Sequence, residues 1–196
     1  NGHWRGMQPG QHVSLGVEID GRLLQRSYSP TVLGRNLLSI TVKAVDGGRV
    51  SRYLVSQAPQ GSVFHIGEAF GDFSVPTAAP LLLLAAGSGI TPMRSLLRAL
   101  ASRPLGAPVD LYYWERSHAG FSFREELLAM AAAEPRLQVR LLATRDAQAP
   151  AARIDSVVFD SLGDVPLAQR HVLACGPDGF VAAARNRLLH HVAGFQ

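Results

Sequence analysis

A turn in the middle of the chain has the composition of a phosphate-binding loop. The stretch AAGSGITP, residues 85–92, follows an apolar run and places Gly87 and Gly89 ahead of Thr91-Pro92, a favourable helix start. Glycine lets the backbone approach a ligand closely, and a helix N-terminus offers N–H groups with partial positive charge. The turn predicts a pyrophosphate site, although the third glycine of the usual dinucleotide fingerprint is missing. An ordinary strand–helix turn is the alternative.

A second turn of this kind lies near the C-terminus. The stretch LACGPDGF, residues 173–180, also ends an apolar strand and begins a helix, here with Gly176-Pro177. In a parallel sheet both turns would lie at the carboxyl edge, where ligands bind in open α/β folds. Two such turns can bracket an extended dinucleotide, with Cys175 facing the site. The alternative for Cys175 is a small apolar residue of the core.

The first third of the chain supplies another candidate. In RSYS, strand alternation puts Arg26 and Tyr28 on one face, followed by Ser29. A cation and an aromatic ring on one surface suit a phosphate and a flat ring system. Further along, DGGRVSRYL at residues 46–54 predicts a short helix whose N-terminus near Ser51 is a second anion site. An exposed strand pair and an ordinary hairpin turn are the respective alternatives.

Two patterns of elements must position these residues. Residues 1–76 predict an antiparallel β-barrel, with strands near residues 11–19, 22–29, 36–45 and 62–75 separated by glycine turns. From residue 77 onward, strands and helices alternate, which predicts a doubly wound parallel sheet over 77–196. The boundary is expected near Val75-Pro76-Thr77. Within the second part, Ser122 and Glu125 form a capping-box pattern at the start of one helix.

Composition and charge narrow the function classes. With 47% apolar and 17% charged residues over 196 positions, the chain is globular rather than disordered. Its net charge of +4 comes with scattered arginines, which argues against nucleic acid and leaves an acidic partner or an anionic cofactor open. The longest apolar run is too short to span a membrane, and no secretory signal pattern is present. A cytoplasmic location is expected.

Cysteine and histidine usage predicts no metal site in this chain. Cys175 is the single cysteine, which excludes an internal disulfide framework and an all-cysteine iron–sulfur site within these residues. His190 and His191 are adjacent in sequence, so they do not share a helix face as paired ligands would.

The chain resembles the ferredoxin–NADP reductase superfamily in seven motifs, which occur in the family's order: PGQHVSL, RSYS, GGRVSRYL, GEAFGDF, AAGSGITP, FSFREEL and CGP. The resemblance covers nearly the whole chain. It is strongest to bacterial oxidoreductases that carry a plant-type ferredoxin domain at their C-terminus, including electron-transfer partners of fatty-acid desaturases. The family fold implied is an antiparallel flavin-binding barrel followed by a nucleotide-binding α/β domain.

The resemblance implies FAD-binding roles in the first part. Arg26 would pair with the FAD pyrophosphate, Tyr28 would pack on the flavin ring, and Ser29 would hydrogen-bond near the reactive N5 atom. A further group would hold the pyrophosphate through backbone and hydroxyl groups: Gly48, Val50 and Ser51.

The resemblance also implies how the second part binds NADPH or NADH. The turn from Gly87 through Gly89 to Pro92 would receive the nucleotide, with Thr91 near the nicotinamide. Three residues would flank the nicotinamide from the other turn: Cys175, Gly176 and Pro177. Those expected nearest the reacting atoms are Ser29, Thr91 and Cys175.

Two arginines predict a preference for NADPH. Arg116 and Arg145 follow the second and third strands of the α/β part, where the adenosine ribose should rest. A guanidinium group suits a 2′-phosphate. Against this, Glu115 is an acid at the same place that could bind a free ribose diol. Ordinary surface charge is the other alternative for both arginines.

The chain departs from the family pattern at three points. About two strands are expected before PGQ and are missing here. The strand that usually follows the last helix is expected to be absent, because the residues stop at Gly194-Phe195-Gln196. Ser88 replaces the second glycine of a common Gly-Gly pair, which is a mild change. The first two departures predict that the chain is part of a longer polypeptide.

The resemblance implies a flavoprotein reductase that passes hydride from NAD(P)H to FAD and then single electrons to a ferredoxin-type iron–sulfur acceptor. A [2Fe–2S] cluster would lie in a fused domain or a separate partner, and a downstream oxygenase or desaturase fits the same chemistry. The positive charge suits docking of an acidic ferredoxin. The alternatives are a haem or small-molecule acceptor, or a non-catalytic flavin-binding subunit that senses redox state.

Overall fold

Contacts divide the chain into two units, Asn1–Asp72 and Phe73–Gln196, each with its own apolar core. The computed structural model describes residues 6–34, 37–71, 78–101, 105–146, 153, 154, 157, 159 and 165–196. The boundary predicted near residues 75–77 lies outside the described residues.

The first unit is built on an antiparallel sheet. Its elements, in chain order, are β1 (His12–Ile19), β2 (Arg22–Tyr28), β3 (Thr31–Gly34), β4 (Leu37–Ser39), α1 (Arg49–Ser56) and β5 (His65–Phe70). The sheet has the strand order β2-β1-β5, and β3 pairs with β4 separately. Leu15 and Val17, at alternate positions of β1, pack against Val50 of α1 to form the core.

Two strands of this unit differ from their predicted extents. The strand predicted over residues 36–45 forms only at Leu37–Ser39, because the chain then leads into the turn before α1, where the Gly48 N–H donates to the Val45 carbonyl. Conversely, β5 continues through Gly67, which the sequence pattern treats as a break.

The second unit is a five-stranded parallel sheet in the order β10-β9-β6-β7-β8. Its elements are β6 (Leu81–Ala86), α2 (Ile90–Leu100), β7 (Val109–Glu115), α3 (Arg124–Ala133), β8 (Leu137–Ala143), β9 (His171–Cys175), α4 (Asp178–Leu188) and β10 (Gly194–Phe195). The chain adds β7 and β8 on one side of β6 and then returns to place β9 on the other side. This reversal creates a switch point between β6 and β9.

Both faces of the parallel sheet are covered. On one face, Leu83 of β6 packs with Leu97 of α2 and Leu127 of α3. On the other face, Leu84 packs with Ala184 and Leu188 of α4. Burial on both faces explains why β6 is a continuous apolar run rather than an alternating one. The predicted fold class, an antiparallel β unit followed by a doubly wound parallel sheet, is confirmed.

The C-terminal strand is present, so the prediction of its absence is wrong. β10 pairs in parallel with β9, with Phe195 opposite Val172. The pairing extends one residue further, since the Gln196 N–H donates to the Val172 carbonyl at 2.9 Å and its carbonyl accepts from the Ala174 N–H at 2.8 Å. A strand of two residues is too short to produce a periodic sequence pattern.

Two helices start differently from the sequence prediction. α2 begins at Ile90 after a turn of 3₁₀ helix over Gly87–Gly89, one residue before the predicted Thr91 cap. α3 begins at Arg124, and Phe123 precedes it in the left-handed conformation (φ 60°) with no side-chain cap. The predicted Ser122–Glu125 capping box therefore does not form.

A buried ion pair lies at the amino-terminal ends of the parallel strands. Asp110 of β7 accepts from Arg170 at 2.6 Å and from Arg140 at 2.9 Å. The Arg170 side chain is 0% exposed and also donates to the carbonyls of Leu81 and Val165. This cluster lies at the opposite end of the strands from the glycine turns.

The helices of the described residues are at most 11 residues long, and none of them is long and apolar enough to cross a lipid bilayer.

Candidate nucleotide-binding sites

The turn before α1 has no space for a side chain at Gly48. A Cβ atom there would lie 2.5 Å from Val45 Cγ2 and 2.6 Å from Ser51 Oγ. The Ser51 hydroxyl donates to the Gly48 carbonyl and accepts from the Val45 N–H, both at 3.3 Å, so it already ties the turn together. The packing of this turn therefore requires glycine at residue 48, and the pyrophosphate contact of this helix start stays a prediction.

Arg26 and Tyr28 lie on the same face of β2, as predicted. Arg26 is opposite Leu15, and Tyr28 is opposite Val13, in the ladder between β1 and β2. Tyr28 packs against the same core as Val50, and this burial raises its phenol pKa while the positive charge of Arg26 opposes the shift. The Arg26 side chain is exposed and donates to the Gln25 carbonyl at 2.6 Å. Ser29 follows directly after the end of β2.

The two glycine turns of the second unit pack against each other at the switch point. Ala85 of β6 is opposite Cys175 of β9. A Cβ atom on Gly89 would overlap the Cys175 carbonyl and lie 2.8 Å from the Gly176 nitrogen. A Cβ atom on Gly176 would in turn lie 2.9 Å from the Ala86 Cβ. The structure thus brings the turns predicted to receive the pyridine nucleotide into direct contact.

The residues around this contact are held by the first turn of α2. Gly87 has a left-handed φ of 57°, which favours glycine for conformational reasons. The Thr91 hydroxyl donates to the Ser88 carbonyl at 3.0 Å, and its oxygen keeps acceptor capacity at the surface. Pro92 is buried beneath it in α2, and Pro177 precedes α4 in the other turn.

Arg116 and Arg145 are also brought together. They follow β7 and β8 at the same carboxyl edge, and the Arg145 N–H donates to the Arg116 carbonyl at 2.9 Å. Both side chains are exposed. Neighbouring strands are about 4.8 Å apart, so this pair lies one to two strand spacings from the turn after β6 and two to three from the turn after β9. The separation suits the adenosine end of an extended dinucleotide.

Glu115, the competing ribose ligand of the sequence analysis, is turned inward. It is only 7% exposed, and its carboxylate accepts from the Tyr113 hydroxyl at 3.4 Å and from the Arg116 N–H at 3.2 Å. Sequence reasoning missed this role, because a charged residue at a strand end is ordinarily solvated.

The Cys175 thiol is largely buried. Burial raises its pKa above the ordinary value, and a hydrogen bond from the Gly176 N–H opposes the shift. The thiol therefore carries its proton at neutral pH. Among the described residues, no three His, Cys, Asp or Glu side chains are grouped so that they could hold a metal ion.

We expect Cys175 to react slowly with iodoacetamide in the folded protein. The thiolate is the reactive form, so a raised pKa moves the rate profile to higher pH, beyond the ordinary thiol value of 9.0. Mass spectrometry of timed alkylation across pH measures this, with the urea-unfolded chain as control. Equal profiles for folded and unfolded protein would contradict the prediction.

Two protein-family models match the chain in tandem. The model described as oxidoreductase FAD-binding domain matches residues 2–75, and the model described as oxidoreductase NAD-binding domain matches residues 83–186. The turn at Gly48 falls within the first match, and the turns at Gly89 and Cys175 fall within the second.

Individual proteins match over nearly the whole chain. An NADPH oxidoreductase of Mycobacterium tuberculosis is 35% identical over 185 residues, which are 90% of this chain and 47% of that protein. A flavohemoprotein of Pseudomonas putida is 32% identical over 188 residues, 92% of this chain and 47% of that protein. The chain spans about half the length of these curated relatives.

A solved structure shares the fold. The crystal structure of flavohemoglobin from Malassezia yamatoensis, with bound FAD and haem, superposes with a TM-score of 0.83 and 23% identity. The match covers 100% of this chain and 53% of that chain.

Proposed function

The chain belongs to the ferredoxin reductase-like superfamily of FAD- and NAD(P)-dependent oxidoreductases, and from that premise we propose that it carries electrons from NAD(P)H through FAD to a one-electron acceptor. The observation that carries the proposal is the contact between the two glycine turns at the sheet's switch point. We assign residues 1–76 to FAD binding and residues 77–196 to NAD(P) binding.

Residues of the first unit suit FAD. The crowded turn at Gly48 presents main chain to a phosphate, and the exposed guanidinium of Arg26 adds a positive charge. Tyr28 offers an aromatic face held by its packing, and Ser29 offers a hydroxyl beside it. When bound, FAD supplies the redox chemistry, by accepting hydride and releasing electrons singly.

Residues of the second unit position the pyridine nucleotide. The Gly87–Pro92 turn holds its phosphates, while Thr91 at the start of α2 and Cys175 at the end of β9 orient the nicotinamide. Hydride transfer requires no side chain to gain or lose a proton, so these residues contribute orientation and exclusion of water. A protonated, largely buried Cys175 is consistent with such a positioning role.

A ferredoxin-type domain or protein, fused or separate, is the acceptor that we propose first. The net charge of +4 and pI near 9.8 favour docking of an acidic partner. A haem acceptor is the second candidate, because one of the matched relatives is a flavohemoprotein. A downstream oxygenase or desaturase would be compatible with the first acceptor.

The test is an anaerobic titration of the purified, FAD-loaded protein with NADPH. Bleaching of the visible flavin absorbance is expected, followed by reoxidation on adding an oxidised [2Fe–2S] ferredoxin. A parallel arm uses a ferric haem protein, and reoxidation there alone would select the second acceptor. Flavin that stays oxidised would refute the reductase and favour a redox-sensing subunit.

Arg26→Ala is expected to weaken FAD binding by about 1.5 kcal/mol, roughly tenfold, because a hydrogen bond to a charged group is lost at an exposed site. Flavin fluorescence during FAD titration measures the affinity. The control is Arg22→Ala, the same substitution on the same face of β2 about 13 Å away. Unchanged FAD affinity in Arg26→Ala would remove Arg26 from the site.

NADPH is expected to be preferred over NADH, with Arg116 contributing a charge-assisted hydrogen bond to the 2′-phosphate. Arg116→Ala should lower kcat/KM for NADPH about tenfold and leave NADH within about twofold. Steady-state reduction of a dye measures both. Arg185→Ala, which removes an exposed charge from α4, is the control. Equal kcat/KM for the two nucleotides in the unsubstituted protein would refute the preference.

A further inference from the structure

A buried carboxylate lies directly beneath the loop that carries Arg116. Glu115 is the last residue of β7 and only 7% exposed, although the following residues are exposed. An acid at this position in nucleotide-binding sheets commonly faces the ribose. Here the side chain instead turns into the protein, where it contacts Tyr113 of its own strand and the loop between β7 and α3.

The two carboxylate oxygens of Glu115 accept hydrogen bonds from its own strand and from the loop that follows. Oε1 accepts from the Tyr113 hydroxyl at 3.4 Å, and that hydroxyl oxygen accepts from the Ser122 N–H at 3.3 Å. Oε2 accepts from the Arg116 N–H at 3.2 Å. Gly120 packs over the carboxylate, since a Cβ atom there would lie 3.2 Å from Oε2. The two ends of the loop are thereby tied to one side chain.

The same position also joins this loop to its neighbour. The Glu115 carbonyl accepts from the Thr144 N–H at 2.8 Å and from the Thr144 hydroxyl at 3.3 Å. The next carbonyl, that of Arg116, accepts from the Arg145 N–H at 2.9 Å. The main chain at both exposed arginines is therefore fixed relative to the end of β7.

We propose that Glu115 is a positioning residue for nucleotide specificity: its carboxylate holds the Arg116 loop so that Arg116 meets the 2′-phosphate, and it does not itself bind the ribose. This inference rests on the proposed NAD(P)-binding function. Tyr113 takes part in the same arrangement. Burial and the neighbouring Glu115 charge raise the pKa of its phenol to about 12, so the hydroxyl keeps its proton and donates to the carboxylate.

The two roles for Glu115 predict opposite results. A carboxylate that binds the ribose holds the free 2′-hydroxyl and repels a 2′-phosphate, so its loss would weaken binding of 5′-AMP. A positioning residue acts through Arg116, so its loss would weaken binding only of ligands with a 2′-phosphate. Adenosine 2′,5′-bisphosphate and 5′-AMP differ only in that phosphate. The ratio of their dissociation constants, measured by calorimetry on the whole chain, separates the roles without involving the flavin.

Glu115→Ala is expected to change the ratio of the two dissociation constants about three- to tenfold, because the loss of one hydrogen bond weakens binding of adenosine 2′,5′-bisphosphate. The affinity for 5′-AMP should be unchanged. When Arg116 is already alanine, Glu115→Ala should leave the ratio unchanged, because Glu115 acts on the 2′-phosphate only through Arg116. Glu115→Gln keeps one acceptor oxygen and should restore part of the preference. It also serves as the second variant if the alanine variant fails to fold.

Asp110→Asn is the matched control, since it alters another buried carboxylate at the opposite end of the same strand. It should lower the unfolding temperature without changing the ratio. A loss of 5′-AMP affinity in Glu115→Ala, or the same change in the ratio with and without Arg116, would overturn the positioning role. An unsubstituted protein that binds both ligands equally would also overturn it, whereas binding of neither would refute the proposed function itself.

Discussion

Gly89→Ala is expected to slow reduction of bound flavin by NADPH about 100-fold, the cost of misplacing a reactant by about 1 Å, while FAD stays bound. Gly89 has an ordinary helical backbone conformation (φ −62°, ψ −7°), so alanine meets no conformational strain there. The difficulty is space, because a Cβ atom would overlap the Cys175 carbonyl and crowd the Gly176 nitrogen. Both obstacles are main chain, so one of the two turns must move.

Stopped-flow absorbance under anaerobic conditions measures the flavin reduction rate, and the absorbance spectrum before mixing measures FAD content. Gly179→Ala is the matched control, because it makes the same change in α4 at a glycine with nothing within 4 Å of the added Cβ. Its rate should be unchanged. A Gly89→Ala protein with the normal rate would show that the turn contact does not position the nucleotide.

Strands buried on both faces were the most predictable part of the fold. β7 (Val109–Glu115) is buried at every position, so five of its seven residues are apolar or aromatic and the run is recognisable as a strand. The strand–helix alternation around it then limits the topology to a parallel sheet with right-handed crossovers. Longer-range pairing was less predictable. β10 is held by backbone hydrogen bonds to β9, and its two residues are too few to show a strand pattern in the sequence.

The start of α3 shows how a tertiary contact overrides a local signal. Ser122 and Glu125 have the residue types of a capping box, yet Phe123 adopts a left-handed conformation instead. Its ring lies under the Arg94 guanidinium, 4.3 Å from the ring centroid, and this contact comes from a different helix. The sequence alone carries no signal for this contact between Arg94 and Phe123.

The candidate site was also only partly predictable from the sequence. The sequence identified both glycine turns, because their residue types are unusual after apolar strands. It attributed Gly89 to close approach of a ligand, whereas the structure shows that the neighbouring turn already requires glycine there. Glu115 was the opposite case. Its charge suggested a ligand, and only the positions of Tyr113 and Gly120 show that it is enclosed.

Asp110→Ala is expected to lower the free energy of unfolding of the second unit by about 3–5 kcal/mol, because it removes a buried carboxylate that pairs with a buried guanidinium. The Arg170 side chain is 0% exposed and donates to the Asp110 carboxylate at 2.6 Å. It also donates to the carbonyls of Leu81 and Val165, which are dipoles rather than charges.

Urea unfolding followed by circular dichroism and by fluorescence of the buried Trp114 measures the loss. Arg98→Ala is the contrasting control, since it breaks a pair with Glu126 in which the arginine is 44% exposed, and it should cost less than about 1 kcal/mol. The double variant Asp110→Leu/Arg170→Met removes the buried pair and leaves Arg140, whose side chain is 28% exposed. It should recover much of the stability, because a well-packed apolar pair escapes the desolvation cost. A loss of under 1 kcal/mol for Asp110→Ala would show that the ion pair does not stabilise this edge of the sheet.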